Sequence, residues 1–199
     1  TIFCAFHRKT PVESSATVED ALRPGVEIAL AGYIVYGAGT VLVLSTGQGV
    51  NGFTLDPTVG EFFLSHRNIQ LTPDTRSYSC NEAYSAQWDP RLRAWVESKK
   101  DPALGWSSRY IGSLVGDFHR NLVKGGIFLY PPTAKAKNGK LRLLYEAFPL
   151  AFLVEAAGGT ATDGKQRILD KIPRNIHERT PLYIGNKEAV EAVMAALNA

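Results

Sequence analysis

The sequence predicts an α/β protein built of layered sheets and helices, and three observations predict it. The first third of the chain is a series of short apolar runs broken by turn residues. The middle and the end carry segments whose apolar residues recur at helical spacing. One strand-like run, GGIFLYP, is followed further on by a helix that is apolar almost all round, and such a helix must be central.

The strand-like runs come in the order TIFCAFH, IALAGYIVYG, TVLVLST, GFTL and EFFLS. Arg23-Pro24-Gly25, Gly47-Gln48-Gly49 and Asp56-Pro57 supply turns between them. A first helix is predicted where Asp89 can cap and Pro90 takes the first position, with Leu92, Trp95 and Val96 on one face. A second starts near Ile111 and spaces Leu114, Val115, Phe118 and Leu122 at helical intervals. GGIFLYP then reads as a buried strand ending at Tyr130 with a proline stop. A Lys-rich loop (Lys135, Lys137, Lys140) leads into a second apolar run, LRLLYE. The apolar helix follows, with Glu146 at its start, Pro149 in its first turn and Gly158-Gly159 at its end; Phe148, Leu150, Phe152, Leu153 and Val154 make it central. After a short strand, PLYIG, a last helix runs from Asn186 as cap through Val190, Val193 and Leu197.

Composition sets broad bounds. Hydrophobic residues at 45% suffice for a core, and 199 residues allow one large domain or two small ones. A balance of 22 Lys and Arg against 19 Asp and Glu, giving +3, is too weak to argue for nucleic acid. The positive charge is concentrated from Lys135 to Arg142, which suits a small phosphorylated ligand, although a solvated basic loop reads the same way on charge alone. Cys4 and Cys80 have neither disulfide-framework nor zinc spacing, which fits a reducing cytoplasm. No apolar run reaches the roughly 20 residues that a membrane helix needs.

Several long segments resemble the class I fructose-1,6-bisphosphatases, within the wider group of metal-dependent sugar and inositol phosphatases. They are GYIVYGAGTVLVL, LDPTVGEF, SCNEAY, SRYIGSLVGDFHRNLVKGGIFLYP, DGKQRILD, and the order Lys140, Arg142, Tyr145, Glu146 before EAAGG. The resemblance spans essentially the whole chain. It implies an α-β-α-β-α layered fold, with residues 1–75 as the remainder of an effector-side domain and 76–199 as a domain that binds a sugar bisphosphate. It also implies hydrolysis of the 1-phosphate of fructose 1,6-bisphosphate, Mg2+ as cofactor with Mn2+ as substitute, a homo-oligomer (dimer or tetramer) and a cytoplasmic enzyme. Sedoheptulose bisphosphate is the alternative substrate, and a non-catalytic sugar-phosphate-binding module is the alternative from another class.

By the same resemblance, Asn81, Tyr84, Arg109, Tyr110 and Tyr130 hold the sugar's distal phosphate, with Arg109 reaching in from a neighbouring subunit. Lys140 serves the furanose and its other phosphate, and Gly112, Ser113 and Leu114 line the sugar site, where glycine permits close approach. The chemistry suits these roles, since arginine, phenol and amide groups all donate to phosphate oxygens. Each residue taken alone has a structural reading: tyrosines in a core, an arginine in an ion pair, Asn81 capping a turn. Glu146 is the single metal ligand that the resemblance assigns, because hard Mg2+ prefers carboxylate oxygens. A carboxylate at a helix start also serves as a plain dipole cap.

The family's main metal motif, of the Asp-Pro-Leu-Asp-Gly-Ser-Ser type, stands just before a strand resembling TIFCAFHRK, and this chain starts inside that strand. The catalytic acid and the other metal carboxylates are therefore expected upstream of Thr1, and the isolated 199 residues are expected to be inactive. His7 falls where the family's AMP-contacting arginine would be, with Arg8 one residue on and so on the opposite face, and inhibition by AMP is not implied unless a one-residue bulge brings Arg8 round. His119 reads as a helix residue packed or bonded locally, because no nucleophile spacing accompanies it.

Overall fold

The computed structural model describes all 199 residues. The chain opens with an antiparallel meander: β1 (Ile2–Phe6), β2 (Ile28–Val35), β3 (Val41–Ser45), β4 (Asn51–Asp56) and β5 (Glu61–His66), paired in that order. A second part follows with β6 (Ser77–Ser79), α1 (Pro90–Ser98), β7 (Ser107–Ser108), α2 (Leu114–Lys124), β8 (Ile127–Tyr130), β9 (Leu141–Arg142), α3 (Phe148–Ala156), β10 (Thr160–Thr162), β11 (Arg179–Thr180), β12 (Leu182–Gly185) and α4 (Lys187–Asn198). Its sheet runs β10-β12-β8-β6-β7, antiparallel through β8 and parallel beyond it, while β9 and β11 form a separate ribbon.

The alternation of side chains along β8 explains how the layers stack. Phe128 joins the larger core, with Tyr33, Val43, Phe118 and the apolar side of α3, whereas Ile127 and Leu129 join a second core with Trp88, Leu92, Trp95 and Val193. β12 divides likewise, Leu182 and Ile184 to one side and Tyr183 to the other. Successive strand residues point to opposite faces, so both faces of this sheet are covered. The resulting order is first sheet, α2 with α3, second sheet, α1 with α4, which is the layered α/β arrangement the sequence predicts. Six of the nine residues of α3 are buried, including Phe148, Leu150 and Leu153. Burial of each large side chain contributes about 1.5–3 kcal/mol, so the middle layer anchors both sheets.

Three local features differ from the sequence reading. Glu146 does not open an α-helix: Leu143–Ala147 is a π-helical turn closed by Phe148 N–H donating to the Leu143 carbonyl, and α3 starts after it. Pro149 has no N–H to give Tyr145, so an α-type bond is unavailable there and the wider turn takes its place. Asn186 occupies the capping position of α4 without capping it. Its side-chain oxygen instead accepts from Gly126 N–H (2.6 Å) and its amide donates to the Thr72 carbonyl (2.8 Å), tying three segments together. His119 bonds far from home, with Nδ1 at 2.8 Å from the Tyr33 hydroxyl, which joins α2 to the first sheet.

Candidate functional site

At the carboxyl end of β8, four of the sequence-predicted residues line one pocket: Asn81, Tyr84, Tyr130 and Lys140. Asn81 follows β6 and caps a short 3-10 helix, Glu82–Gln87, by accepting from Ala83 N–H at 3.2 Å. That cap fixes the turn which carries Tyr84 and leaves the amide nitrogen of Asn81 for the pocket. Tyr130 ends β8 and stacks on Phe128, 6.1 Å between ring centres. Lys140 arrives at the end of the Pro131–Lys140 loop, and its ammonium lies 5.1 Å from the centre of the Tyr84 ring. A cation held on an aromatic face, beside a phenol and an amide, suits an anionic, hydroxyl-rich ligand.

Gly139 sets the seat of Lys140. Its φ is +75°, and a β-carbon there would stand 2.3 Å from the Thr180 carbonyl carbon and 2.4 Å from Pro181 N. Only glycine lets this loop lie directly on the β11–β12 connection.

Tyr110, Gly112, Ser113 and Leu114 occupy the entry to α2. Burial pushes the Tyr110 phenol pKa up, as do Tyr130 and Asp117 nearby, while the Asn81 side chain beside it acts the other way, so Tyr110 borders the pocket residues. Gly112 has φ +82°, and a β-carbon would meet nothing nearer than Tyr110 at 3.8 Å. Within the chain, then, backbone conformation rather than close approach is what calls for glycine. Ser113 caps α2 through a long bond from Gly116 N–H (3.4 Å), and Leu114 is half-buried against the larger core. Asp117, which sequence reasoning passed over, holds this entry in place: buried, it accepts from the Ile111 and Gly112 N–H groups at 3.0 and 3.1 Å.

Arg109 lies apart. Its N–H donates to the Tyr78 carbonyl at 2.8 Å, but its side chain is exposed, forms no ion pair within the chain and does not line the pocket. The neighbouring Arg120 guanidinium has its pKa lowered by burial and by the Arg109 charge, and its Nε finds no partner.

Glu146 also stands outside that pocket. One carboxylate oxygen accepts from Arg142 N–H at 2.6 Å, an interaction that closes the π-turn, and the other oxygen is left for a further partner. No three His, Cys, Asp or Glu side chains converge anywhere in these 199 residues. The donor set therefore fits a hard divalent cation only as one ligand among several.

Residues 71–198 match the family model for the fructose-1,6-bisphosphatase C-terminal domain, and residues 1–67 match the model for its N-terminal domain. The chain belongs to the fructose-1,6-bisphosphatase family. It is 51% identical over 195 residues to the class 1 fructose-1,6-bisphosphatase of Chlorobium luteolum and 50% identical over 195 residues to that of Chloroherpeton thalassium. These alignments cover 96% of this chain but 59% and 56% of those proteins, so the chain spans a little over half of their length. The crystal structure of Leishmania major fructose-1,6-bisphosphatase in holo form superposes with a TM-score of 0.93 at 42% identity, covering 100% of this chain and 62% of that one. The apo form gives 0.89 at 44% identity, over 95% and 63%.

Within this fructose-1,6-bisphosphatase fold, the pocket also uses residues to which the sequence reading gives no ligand role, among them Trp88, Leu129, Thr133 and Ala136. Leu129 lies in the run that reads as a buried strand, and both it and Trp88 belong to the second core as well as to the pocket wall. The Thr133–Ala136 bridge that shapes the loop has no apolar pattern to announce it.

Proposed function

We propose that the protein is a fructose-1,6-bisphosphatase, hydrolysing the 1-phosphate ester to fructose 6-phosphate and inorganic phosphate, and that this chain supplies most of its sugar-bisphosphate site. The observation that carries the reading is Lys140 held over Tyr84, with Asn81 and Tyr130 lining the same pocket. In the reaction a water oxygen bonds to phosphorus while the bond from phosphorus to the C1 oxygen breaks, and the sugar oxygen leaves with a proton. Tyr130, Asn81 and Tyr84 would donate to the distal phosphate, while the Lys140 ammonium balances charge near the furanose and the 1-phosphate. Tyr110, Gly112, Ser113 and Leu114 would line the sugar, in an entry kept rigid by Asp117. Arg109, exposed and without an acidic partner, would reach a neighbouring subunit's distal phosphate in a homo-oligomer.

When bound, a divalent cation (Mg2+, with Mn2+ as substitute) would activate the water and offset charge on the phosphate. Glu146 would give it one carboxylate through the oxygen that Arg142 N–H leaves free. The remaining carboxylates and the acid that activates water would come from outside these 199 residues, which by themselves should release no phosphate. The same reading divides the chain at 1–75 and 76–199 and places the enzyme in the cytoplasm. No helix is long and apolar enough to cross a membrane.

The test is Mg2+-dependent phosphate release from fructose 1,6-bisphosphate by the protein that contains this chain. Activity that needs Mg2+ and discriminates against a sugar lacking the 6-phosphate supports the reading. Equal hydrolysis of unrelated monophosphates would overturn it.

A further inference from the structure

A second concavity lies on the other side of the Pro131–Lys140 loop, walled by that loop, the Asp163–Gln166 turn and the segment from Lys171 to Pro181. Its volume is about 790 Å³, and apart from Pro132 and Pro181 every side chain that lines it is polar or charged. Five cationic side chains face it, Lys137, Lys165, Lys171, Arg174 and Arg179, against two carboxylates, Asp163 and Glu178.

Both carboxylates are committed to the walls. Asp163 accepts from the Lys165 and Gln166 N–H groups at 2.8 and 2.9 Å and pairs with Lys171, while Glu178 accepts from Arg174 N–H at 2.6 Å. Burial opposes ionisation of Asp163, but the bonds from Lys171 and these backbone groups prevail and hold its pKa below the usual value. Lys137, Lys165, Arg174 and Arg179 are exposed and form no ion pair within the chain. Four like charges around one low-lying concavity focus a positive potential there, and a multivalent anion relieves their mutual repulsion.

We propose that this cleft is a second anion site, taking a small molecule with two or more phosphate groups, separate from the sugar pocket though sharing the Pro131–Lys140 loop with it. Its volume lies within the range of small-molecule sites. The cations ring one concavity rather than tracking a stripe, and the whole chain carries only +3, which favours a small ligand over a polymer.

The probe is inorganic pyrophosphate, titrated calorimetrically without divalent cations into the protein that contains this chain, at an ionic strength of about 0.15 M so that loose surface attraction is screened. Three proteins are compared: wild type, the Lys165→Ala/Arg174→Ala double variant and Lys140→Ala. Neither Lys165 nor Arg174 bonds through its side chain within the chain, so the double variant keeps the walls intact. Loss of two charge-assisted contacts should weaken pyrophosphate about tenfold or more, and Lys140→Ala should leave the affinity within about twofold. Equal affinity in wild type and the double variant would overturn the proposal. So would loss of binding in Lys140→Ala alone, which would assign the anion to the sugar pocket, or no binding by wild type.

Discussion

Replacing Gly139 by alanine perturbs the seat of Lys140 without touching a ligand-facing side chain. At φ +75° an L residue sits in the left-handed region, which costs about 1–2 kcal/mol. The added methyl would also stand 2.3–2.4 Å from the backbone of Thr180 and Pro181. Those atoms are held by the pairing of Thr180 with Leu141 and of Leu182 with Tyr130, so they cannot retreat without loosening both strands. Overpacking of this kind adds about 1–3 kcal/mol, for a total of about 2–5 kcal/mol. Gly60→Ala is the matched control, because Gly60 has the same φ of +75° with nothing within 4 Å of its would-be β-carbon. Urea unfolding of both variants should show Gly139→Ala the less stable by the overpacking term. It should also bind fructose 1,6-bisphosphate more weakly, because the loop relieves the clash by carrying Lys140 away from Tyr84. Equal destabilisation of the two variants would refute the argument that loop contact, rather than backbone conformation alone, demands glycine at 139.

Glu146→Gln in the active protein should lower kcat by orders of magnitude and alter sugar-bisphosphate binding much less, as steady-state kinetics over a Mg2+ series would show; an unchanged kcat would leave Glu146 as the closure of the π-turn alone. Arg109→Ala should weaken fructose bisphosphate binding about tenfold or more, and mixing Arg109→Ala with Glu146→Gln subunits should restore part of the activity if Arg109 serves a neighbour's site. Burial, with His66 nearby, lowers the His119 pKa below its ordinary value of 6.5, so the folded state prefers the neutral ring. The unfolded chain then binds more protons, and this contribution to stability is full above about pH 6.5 and lost as pH falls toward the folded pKa. Thermal unfolding across that window should show the loss, and His119→Gln should flatten it.

The elements legible in the sequence are those with their own local signal. The capping carboxylate of α1 accepts from Arg91 N–H at 2.9 Å, and the apolar faces of α1, α2 and α4 lie where their spacing puts them. β6, the strand that leads into Asn81, was not legible. Ser77–Ser79 has no apolar run, and it becomes a strand through parallel pairing with Ile127 and Phe128 on one side and with Ser107 and Ser108 on the other, all distant in sequence. The π-turn escaped because Glu146 before an apolar run reads as an ordinary helix start, while the missing N–H of Pro149 acts one turn later. Asn186 carries the signature of a cap, yet two distant backbone groups compete successfully for its side chain. In the site, residue types were readable from motifs, whereas the perch of Lys140 on Tyr84 depends on how closely Gly139 approaches Thr180.

The central claim is that Asn81, Tyr84, Tyr130 and Lys140 form one sugar-bisphosphate pocket, and equilibrium binding of fructose 1,6-bisphosphate tests it most directly. Trp88 lines that pocket and its fluorescence can report the titration. Lys140→Ala and Tyr84→Ala should each weaken binding, Lys140→Ala by about tenfold or more through loss of a charge-assisted contact. The double variant should lose less than the sum of the two, because each residue holds the other in place. Wild-type affinity in Lys140→Ala, or strictly additive losses in the double variant, would contradict a shared pocket.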